Sequence, residues 1–256
     1  MNNLVIICAI LLLVLLFLKV PVYIAVLSAS AVYFIGTPGM NLSIFAQKTI
    51  SGAEGLSLLA IPFFVCAGIF MNYTGVTKRI MNCCEVLTAR MPGGLAQVNI
   101  LLSTLMGGLS GSSLADAAMQ CKMLVPTMES KGYSKSFSTV ITAASGMVVP
   151  LIPPGVGLII YGCINNISIG KLFIAGIGPG IVLCVTLMIF THFLSKKRGY
   201  LPSRTTKIPV SEKIAAVRPA FLPLLLPIII IGGVRIGVFT ASEAGTVAIV
   251  YAVLLG

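Results

Sequence analysis

A long apolar run, residues 95–128, is interrupted at its centre by the segment GGLSGSSLAD, residues 107–116. The residues on either side are typical of membrane-spanning helices, but the glycines, hydroxyls and single carboxylate would break such a helix near its middle. Backbone inside a bilayer must satisfy its own hydrogen bonds, so a break at that depth is stable only where protein or a water-filled cavity surrounds it. The segment is therefore the first candidate for a functional site.

The composition places the whole chain in a membrane. Hydrophobic residues make up 57% and charged residues only 9% of the 256 residues, whereas a soluble domain carries about 25% charged residues. The apolar runs are continuous rather than alternating, which indicates helices and not the strands of a β-barrel. We therefore predict an all-α polytopic membrane protein in a lipid bilayer.

The basic residues indicate an orientation rather than a nucleic-acid partner. The net charge is +11, but seven of the seventeen Lys and Arg residues fall between Lys196 and Arg218. Such a cluster is typical of a cytoplasmic loop between membrane helices, so we expect no nucleic-acid binding. The seven scattered cysteines form no CxxC pair and there is a single histidine, which argues against a zinc site.

Two half-length apolar segments flank the central break. Leu95–Leu109 and Leu114–Met128 each contain 15 residues, or roughly 22 Å of helix at the usual rise, less than a hydrocarbon core of about 30 Å. Basic residues lie just beyond the outer end of each segment. These features predict a re-entrant hairpin with its tip at Ser110–Ser113.

A second break follows the hairpin. The segment PLIPPG, residues 150–155, separates the apolar stretches Phe137–Val149 and Val156–Ile164. Prolines remove backbone donors and clash with the preceding helical turn. We therefore predict a transmembrane helix that is unwound near its middle.

The loop charges fit one topology. With residues 196–218 in the cytoplasm, the charge pattern puts residues 78–92 and 129–136 on the same side and the N terminus on the outside. The other segments are predicted from their apolar stretches. They are spans at Leu4–Leu18, Val22–Ile35, Leu56–Met71, Leu172–Leu194, Phe221–Val234 and Ala241–Leu255, an interfacial helix at Leu42–Leu56, and a basic arm at Arg204–Arg218.

At this point the chain resembles the large membrane subunit of tripartite ATP-independent periplasmic (TRAP) transporters, the DctM-like subunit. The stretches that carry the resemblance are GGLSGSSLADAA (107–118), LAIPFF (59–64), PGGLA (92–96), LIPP (151–154) and FTASEA (239–244). The resemblance covers the whole chain in order.

The resemblance implies an elevator-type transporter of the bacterial inner membrane, with inverted repeats that each contain a hairpin and a broken helix. It implies symport driven by a sodium gradient, a small membrane subunit as partner, and a periplasmic substrate-binding protein that delivers organic acids such as C4-dicarboxylates or sialic acids. Because such subunits are usually longer, this chain is expected to be their N-terminal portion. The implied division of the chain is N-terminal scaffold helices at 1–91, half of the transport domain at 92–165 (hairpin 92–133, broken helix 134–165), an arm helix with a basic loop at 166–219, and the start of the second repeat at 220–256.

The resemblance also implies a sodium site between the hairpin tip and the proline-rich break. Sodium takes oxygen ligands from hydroxyls and from unwound backbone carbonyls. Carried onto this sequence, the ligands are the hydroxyls of Ser110 and Ser112 and the backbone carbonyls of Val149, Ile152 and Pro154. The alternative is that the serines only cap helix ends and the prolines only kink the backbone.

An anionic substrate fits the same tip. The amides at the start of the second half-helix carry partial positive charge, which favours a carboxylate. We therefore predict substrate contacts at Ser112, Ser113 and Asp116. Asp116 has two other interpretations: a structural carboxylate that complements the helix dipole, or a proton-coupling group.

Two other classes of function remain. Gly108-Leu109-Ser110-Gly111 also matches the GxSG nucleophile motif of rhomboid-type intramembrane proteases, which would need a histidine base near Ser110. His192 lies close to a membrane boundary in the predicted topology, which disfavours that dyad. The third class is a passive channel or scaffold subunit.

Overall fold

The protein is helical wherever its structure is described. The computed structural model describes residues 2–204 and 208–255, apart from the side chains of residues 2, 53, 56, 109 and 110. Within these ranges there are twelve α-helices, one short 3-10 helix and no strand, which confirms the all-α prediction. Two of the described helices, Ile169–Lys197 and Val210–Ile236, are each long and apolar enough to cross a membrane by themselves.

The first of two compact units spans residues 1–55. Its helices are α1 (Asn2–Phe17), α2 (Val22–Gly36) and α3 (Leu42–Ala53). A Cβ placed on Gly36 would lie 2.8 Å from a Leu4 methyl carbon, so the end of α2 lies beside the start of α1. Phe34 packs on Phe45 of α3 with ring centroids 5.7 Å apart. Asn41 caps α3 by accepting a hydrogen bond from the Ile44 amide at 3.0 Å, as its short polar side chain favours.

The second unit spans residues 56–256 and contains both predicted breaks. It begins with the 3-10 helix Leu56–Leu59. Its helices are α4 (Ala60–Tyr73), α5 (Val76–Thr88), α6 (Gly94–Ser110), α7 (Ser113–Ser130), α8 (Lys135–Ser145), α9 (Val156–Asn165), α10 (Ile169–Lys197), α11 (Val210–Ile236) and α12 (Ala241–Leu255).

Small residues bring α4 and α12 close together. Ala244, Ala248 and Ala252 recur every four residues along α12 and are buried in one cluster with Phe64 of α4. A Cβ added to Gly245 would lie 2.7 Å from the Phe63 Cβ. Small side chains at such a seam let two helices pack by close backbone approach, which drives helix association inside membranes.

The hairpin is formed as predicted, by α6 and α7 joined at Gly111 and Ser112. Its open end packs against the segment after α10. The Gly93 amide donates to the Tyr200 carbonyl at 3.2 Å, and Tyr200 stacks on Tyr133 with centroids 4.4 Å apart. The Arg204 amide also donates to the carbonyl of Ala89 at 2.9 Å. Residues 89–93, 133 and 200–204 thus lie at one end of this unit, as the loop charges predicted.

The broken helix is also present, but its first half ends earlier than predicted. α8 ends at Ser145 rather than Val149, and residues 146–154 form turns and bends before α9 begins. The ring of Pro150 would clash with the carbonyl of residue 146 in a continued helix. Pro150 therefore ends α8 about one turn before its own position.

The end of the predicted basic arm and the predicted span after it belong to one helix, because α11 runs unbroken from Val210 to Ile236. It does so although Pro219, Pro223 and Pro227 lie inside it. Each proline removes the hydrogen bond to the carbonyl four residues earlier. Because the three are spaced by four, the missing bonds fall along one face and the others continue.

Candidate functional site

The tip of the hairpin is a two-residue break between helices. Gly111 ends α6 in the left-handed conformation (φ +61°), and its amide donates to the Gly107 carbonyl at 3.1 Å. Ser112 then caps α7, its hydroxyl accepting a hydrogen bond from the Ala115 amide at 3.4 Å. Glycine is suited to the first position because it adopts positive φ without steric cost.

The tip lies directly against the proline-rich break. A Cβ on Gly107 would be 3.0 Å from the Val149 Cα, and one on Gly108 would be 2.9 Å from the Pro153 carbonyl oxygen. The Val156 amide at the start of α9 donates to the Gly111 carbonyl at 3.3 Å. The backbones of the hairpin tip and the proline-rich break are therefore in direct contact, because the glycines carry no side chain that would keep the two segments apart.

Backbone carbonyl oxygens of the break lie next to the hairpin and receive no backbone hydrogen bond from the described residues. The carbonyl oxygen of Val149 lies 3.3 Å from the Cβ position of Gly107, and that of Pro154 lies 2.8 Å from the Cβ position of Gly111. No backbone amide in the described part of the chain donates to the carbonyls of Val149, Ile152 or Pro154. Oxygens left without donors in a buried, unwound segment are the ligands that a small cation uses in transporters.

The predicted ligands are partly brought together. Val149 and Pro154 are buried and Ile152 is half-buried, all in the break beside the tip. Ser112 is half-buried at the start of α7. Ser110 is the last residue of α6, and its side chain lies outside the described residues. The structure thus fits the predicted oxygen set where it describes it, and sodium binding there stays a prediction.

Asp116 lies inside the hairpin rather than at its surface. It is 2% exposed, and its Oδ2 accepts hydrogen bonds from the Ser103 hydroxyl at 2.8 Å and from Gln120 Nε2 at 2.7 Å. Gln120 Nε2 also donates to the Ser103 Oγ at 2.6 Å. The carboxyl of Asp116 therefore joins the two half-helices. Its predicted contact with substrate is not tested by these bonds.

The same polar cluster extends to the broken helix. Ser103 Oγ lies 3.0 Å from Ser145 Oγ, and Ser145 Oγ donates to Asn99 Oδ1 at 2.8 Å. Asn99 Nδ2 donates to Thr142 Oγ1 at 2.7 Å. These four side chains are fully buried. The hairpin and α8 are thus joined by hydrogen bonds in a region that is otherwise apolar.

Sequence reasoning did not find this cluster, although a signal for it was present. Asn99 and Ser103 are four residues apart, as are Asp116 and Gln120, so each pair projects from one face of its helix. Polar residues at that spacing in an apolar segment indicate contacts inside a helical bundle. Only the folded structure shows that the two faces meet.

A cavity of about 140 Å³ lies between α4 and α7. Its walls include Gly68 and Asn72 from α4, and Ser112 and Asp116 from α7. Ser113 is half-buried beside Ser112. The cavity brings two of the three predicted substrate contacts, Ser112 and Asp116, to one place beside the tip.

The histidine needed for a protease dyad lies elsewhere. His192 shares a cavity with Met91 and Gln97 at the start of α6, whereas Ser110 ends the same helix. The thirteen residues from Gln97 to Ser110 correspond to about 20 Å of helix. A serine–histidine pair would require contact, so the two residues do not form one.

Comparison with known proteins identifies relatives along nearly the whole chain. The family model described as the DctM component of tripartite ATP-independent periplasmic transporters matches residues 9–256. The sialic acid TRAP transporter large permease protein SiaM of Vibrio cholerae is 41% identical over 94% of this chain and 56% of its own length. The 2,3-diketo-L-gulonate TRAP transporter large permease protein YiaN of Escherichia coli is 40% identical over 92% of this chain and 55% of its own length.

A third relative carries a different substrate name. The ectoine TRAP transporter large permease protein TeaC of Halomonas elongata is 37% identical over 94% of this chain and 56% of its own length. The chain thus spans about half the length of these curated relatives.

Proposed function

Since this chain belongs to the DctM family of tripartite ATP-independent periplasmic transporters, we propose that it forms the hairpin half of a sodium-coupled permease for small organic acids. Membership of this family makes it part of a multi-pass membrane permease and not an enzyme. The proposed uptake is TRAP-type, with an organic acid as substrate. Relatives named for sialic acid and diketogulonate support a carboxylate.

The contact between the hairpin tip and the proline-rich break is the observation that supports sodium coupling. Carbonyl oxygens of Val149 and Pro154 point toward the tip and receive no backbone donor among the described residues. The hydroxyls of Ser110 and Ser112 complete the proposed ligand set. A site of neutral oxygens suits an ion that must bind and leave again in each cycle.

The proposed substrate position is the N-terminal end of α7. Its first amides carry partial positive charge, and the adjoining cavity is lined by Ser112 and Asp116. A substrate carboxylate would accept hydrogen bonds from the amides and from the hydroxyls of Ser112 and Ser113. Asp116 would form part of the wall of that site, where an ionised carboxyl would repel the substrate and a protonated one would donate a hydrogen bond to it.

The proposed mechanism is an elevator, in which the hairpin and the broken helix move together. The hydrogen bonds of Asn99 with Ser145 and with Thr142 join these two elements, which suits a body that moves as one. The proposed partners are a small membrane subunit and a periplasmic substrate-binding protein. The proposed location is the bacterial inner membrane, with the N terminus in the periplasm and residues 196–218 in the cytoplasm.

Sodium coupling is tested in proteoliposomes that contain the assembled transporter including this chain. Uptake of labelled sialic acid and of a C4-dicarboxylate is measured with an inward sodium gradient, and with equal sodium on both sides. The variant Ser110→Ala with Ser112→Ala is expected to abolish uptake driven by the gradient. Ser130→Ala, an exposed position at the far end of α7, is the matched control and should leave uptake unchanged.

Two results would contradict the proposal. Uptake that does not respond to the sodium gradient, with a binding protein present, would rule out sodium as the coupling ion. Substrate that only equilibrates across the membrane, without accumulation, would favour a passive channel instead.

A further inference from the structure

We propose that Asp116 and Gln120 form a sodium-binding site inside the hairpin, separate from the one at its tip. The choice of sodium rather than another monovalent cation rests on the proposed sodium coupling. The existence of a cation site rests on the buried groups themselves.

The carboxyl of Asp116 has no opposite charge beside it. It is 2% exposed, and its neighbours Ser103, Gln120 and Ser145 are fully buried and uncharged. In the part of the chain that the structure describes, the one ion pair joins Arg204 and Glu212 and not Asp116. A carboxylate buried among neutral groups is strongly unfavourable, so a cation or a proton has to neutralise it.

The hydrogen bonds leave two oxygens free. Both donors reach the same oxygen, Asp116 Oδ2, and Asp116 Oδ1 has no partner. Gln120 uses its Nε2 for Asp116 and Ser103, and its Oε1 has no partner either. Buried acceptors without partners are rare and call for an explanation. Two of them lie here one helical turn apart, on residues that touch each other.

The chemistry of this pair matches a monovalent cation. It combines one formal negative charge with one neutral amide oxygen, and hard cations prefer oxygen ligands. The single charge therefore suits sodium better than calcium or magnesium.

The cavity between α4 and α7 supplies access. Asp116 forms part of its wall, together with the polar residues Ser112 and Asn72. Its volume of about 140 Å³ exceeds the roughly 30 Å³ share of one water molecule. A partly hydrated ion can therefore lie in the cavity beside Asp116, and rotation of the carboxyl group would bring its covered free oxygen to the ion. A bare proton would need no such space.

Sodium binding at this site is tested by measuring the thermal stability of the purified chain in lipid nanodiscs. Sodium chloride replaces choline chloride at constant ionic strength, and the midpoint of unfolding is followed as a function of sodium concentration, because a ligand of the folded state raises it. Asp116→Asn keeps the shape of the side chain and removes its charge. Glu129→Gln removes a charge from an exposed position of the same helix and serves as the control.

The proposal expects Asp116→Asn to weaken the sodium response by about tenfold or more, since losing even a group that only supports a metal ligand costs about 10–100-fold in affinity. In sodium-free buffer this variant should be at least as stable as the wild type, because the uncompensated charge is gone. Gln120→Glu is expected to strengthen the sodium response, since it adds a second charge. Glu129→Gln should behave as the wild type does.

Comparison with Ser110→Ala separates this site from the tip. The proposal expects Ser110→Ala to keep a sodium response that is lost when Asp116→Asn is added. If Ser110→Ala has no effect while Asp116→Asn removes the response, the tip site of the proposed function fails and the inner site stands. A wild-type sodium response in Asp116→Asn would overturn the inner site. So would stabilisation of the wild type by acid alone, with no effect of sodium, because a proton would then neutralise Asp116.

Discussion

Gly111→Ala tests whether the contact between the hairpin tip and the proline-rich break stabilises the protein. The added Cβ would lie 2.8 Å from the Pro154 carbonyl oxygen and 3.2 Å from the Val156 amide nitrogen. Both neighbours are backbone atoms, so the tip must move away from the break. Forcing atoms into a packed site of this kind costs about 1–3 kcal/mol. The left-handed conformation at φ +61° adds about 1–2 kcal/mol for any residue with a Cβ.

The hairpin provides a control that isolates the contact. Gly132 also has a positive φ, +86°, but a Cβ there would have nothing within 4 Å. Gly132→Ala therefore carries the backbone cost and the unfolded-state effect of the substitution without the collision. The difference between the two variants should be about 1–3 kcal/mol, which corresponds to a midpoint of unfolding lower by roughly 2–12 °C in Gly111→Ala.

Thermal unfolding in nanodiscs at one fixed scan rate measures this difference. The sodium concentration that gives half of the maximal stabilisation should also rise in Gly111→Ala and not in Gly132→Ala, because only the first separates the proposed ligands. Equal losses of stability in the two variants would refute the packing argument. An unchanged sodium response in Gly111→Ala would refute the link between the tip contact and the ion.

Two further predictions concern the contacts that hold the hairpin in place. Ser145→Ala should destabilise the protein by about 1–3 kcal/mol, because it leaves the buried Asn99 Oδ1 without a donor. The control is Thr139→Ala, which removes an exposed hydroxyl on α8 that is bonded only to its own helix and should cost less than about 0.5 kcal/mol. Denaturant titration compares the free energies of unfolding of the two variants. Tyr200→Ala should expose the segment after α10 to protease, because it removes the ring stacked on Tyr133. Tyr200→Phe keeps the ring and should be cleaved nearly as slowly as the wild type, so equal cleavage of the two variants would contradict a role for stacking.

The helical elements were largely predictable because their signals are local. The lengths of the apolar segments and the glycines and serines at residues 107–113 predicted a hairpin, and α6 and α7 follow the predicted bounds within a few residues. The prolines at 150–154 predicted the second break. They did not predict that α8 ends at Ser145, since a proline acts on the turn before it. The sequence reading also did not predict that α11 continues through three prolines, because their spacing of four residues leaves the hydrogen bonds on the other faces of the helix intact.

The sequence by itself determined that this chain is a helical membrane protein, where its helices are interrupted, and which loops share a side. These features follow from hydrophobicity, helix-breaking residues and charge, all of which act over a few neighbouring residues. Only the tertiary structure decided what the interrupted segments face. The tip meets the free carbonyls of the break because three glycines allow backbone contact, and Asp116 turns inward to Ser103 and Gln120. Such contacts join residues 13 to 46 positions apart, and no local rule specifies which partners the packing will bring together.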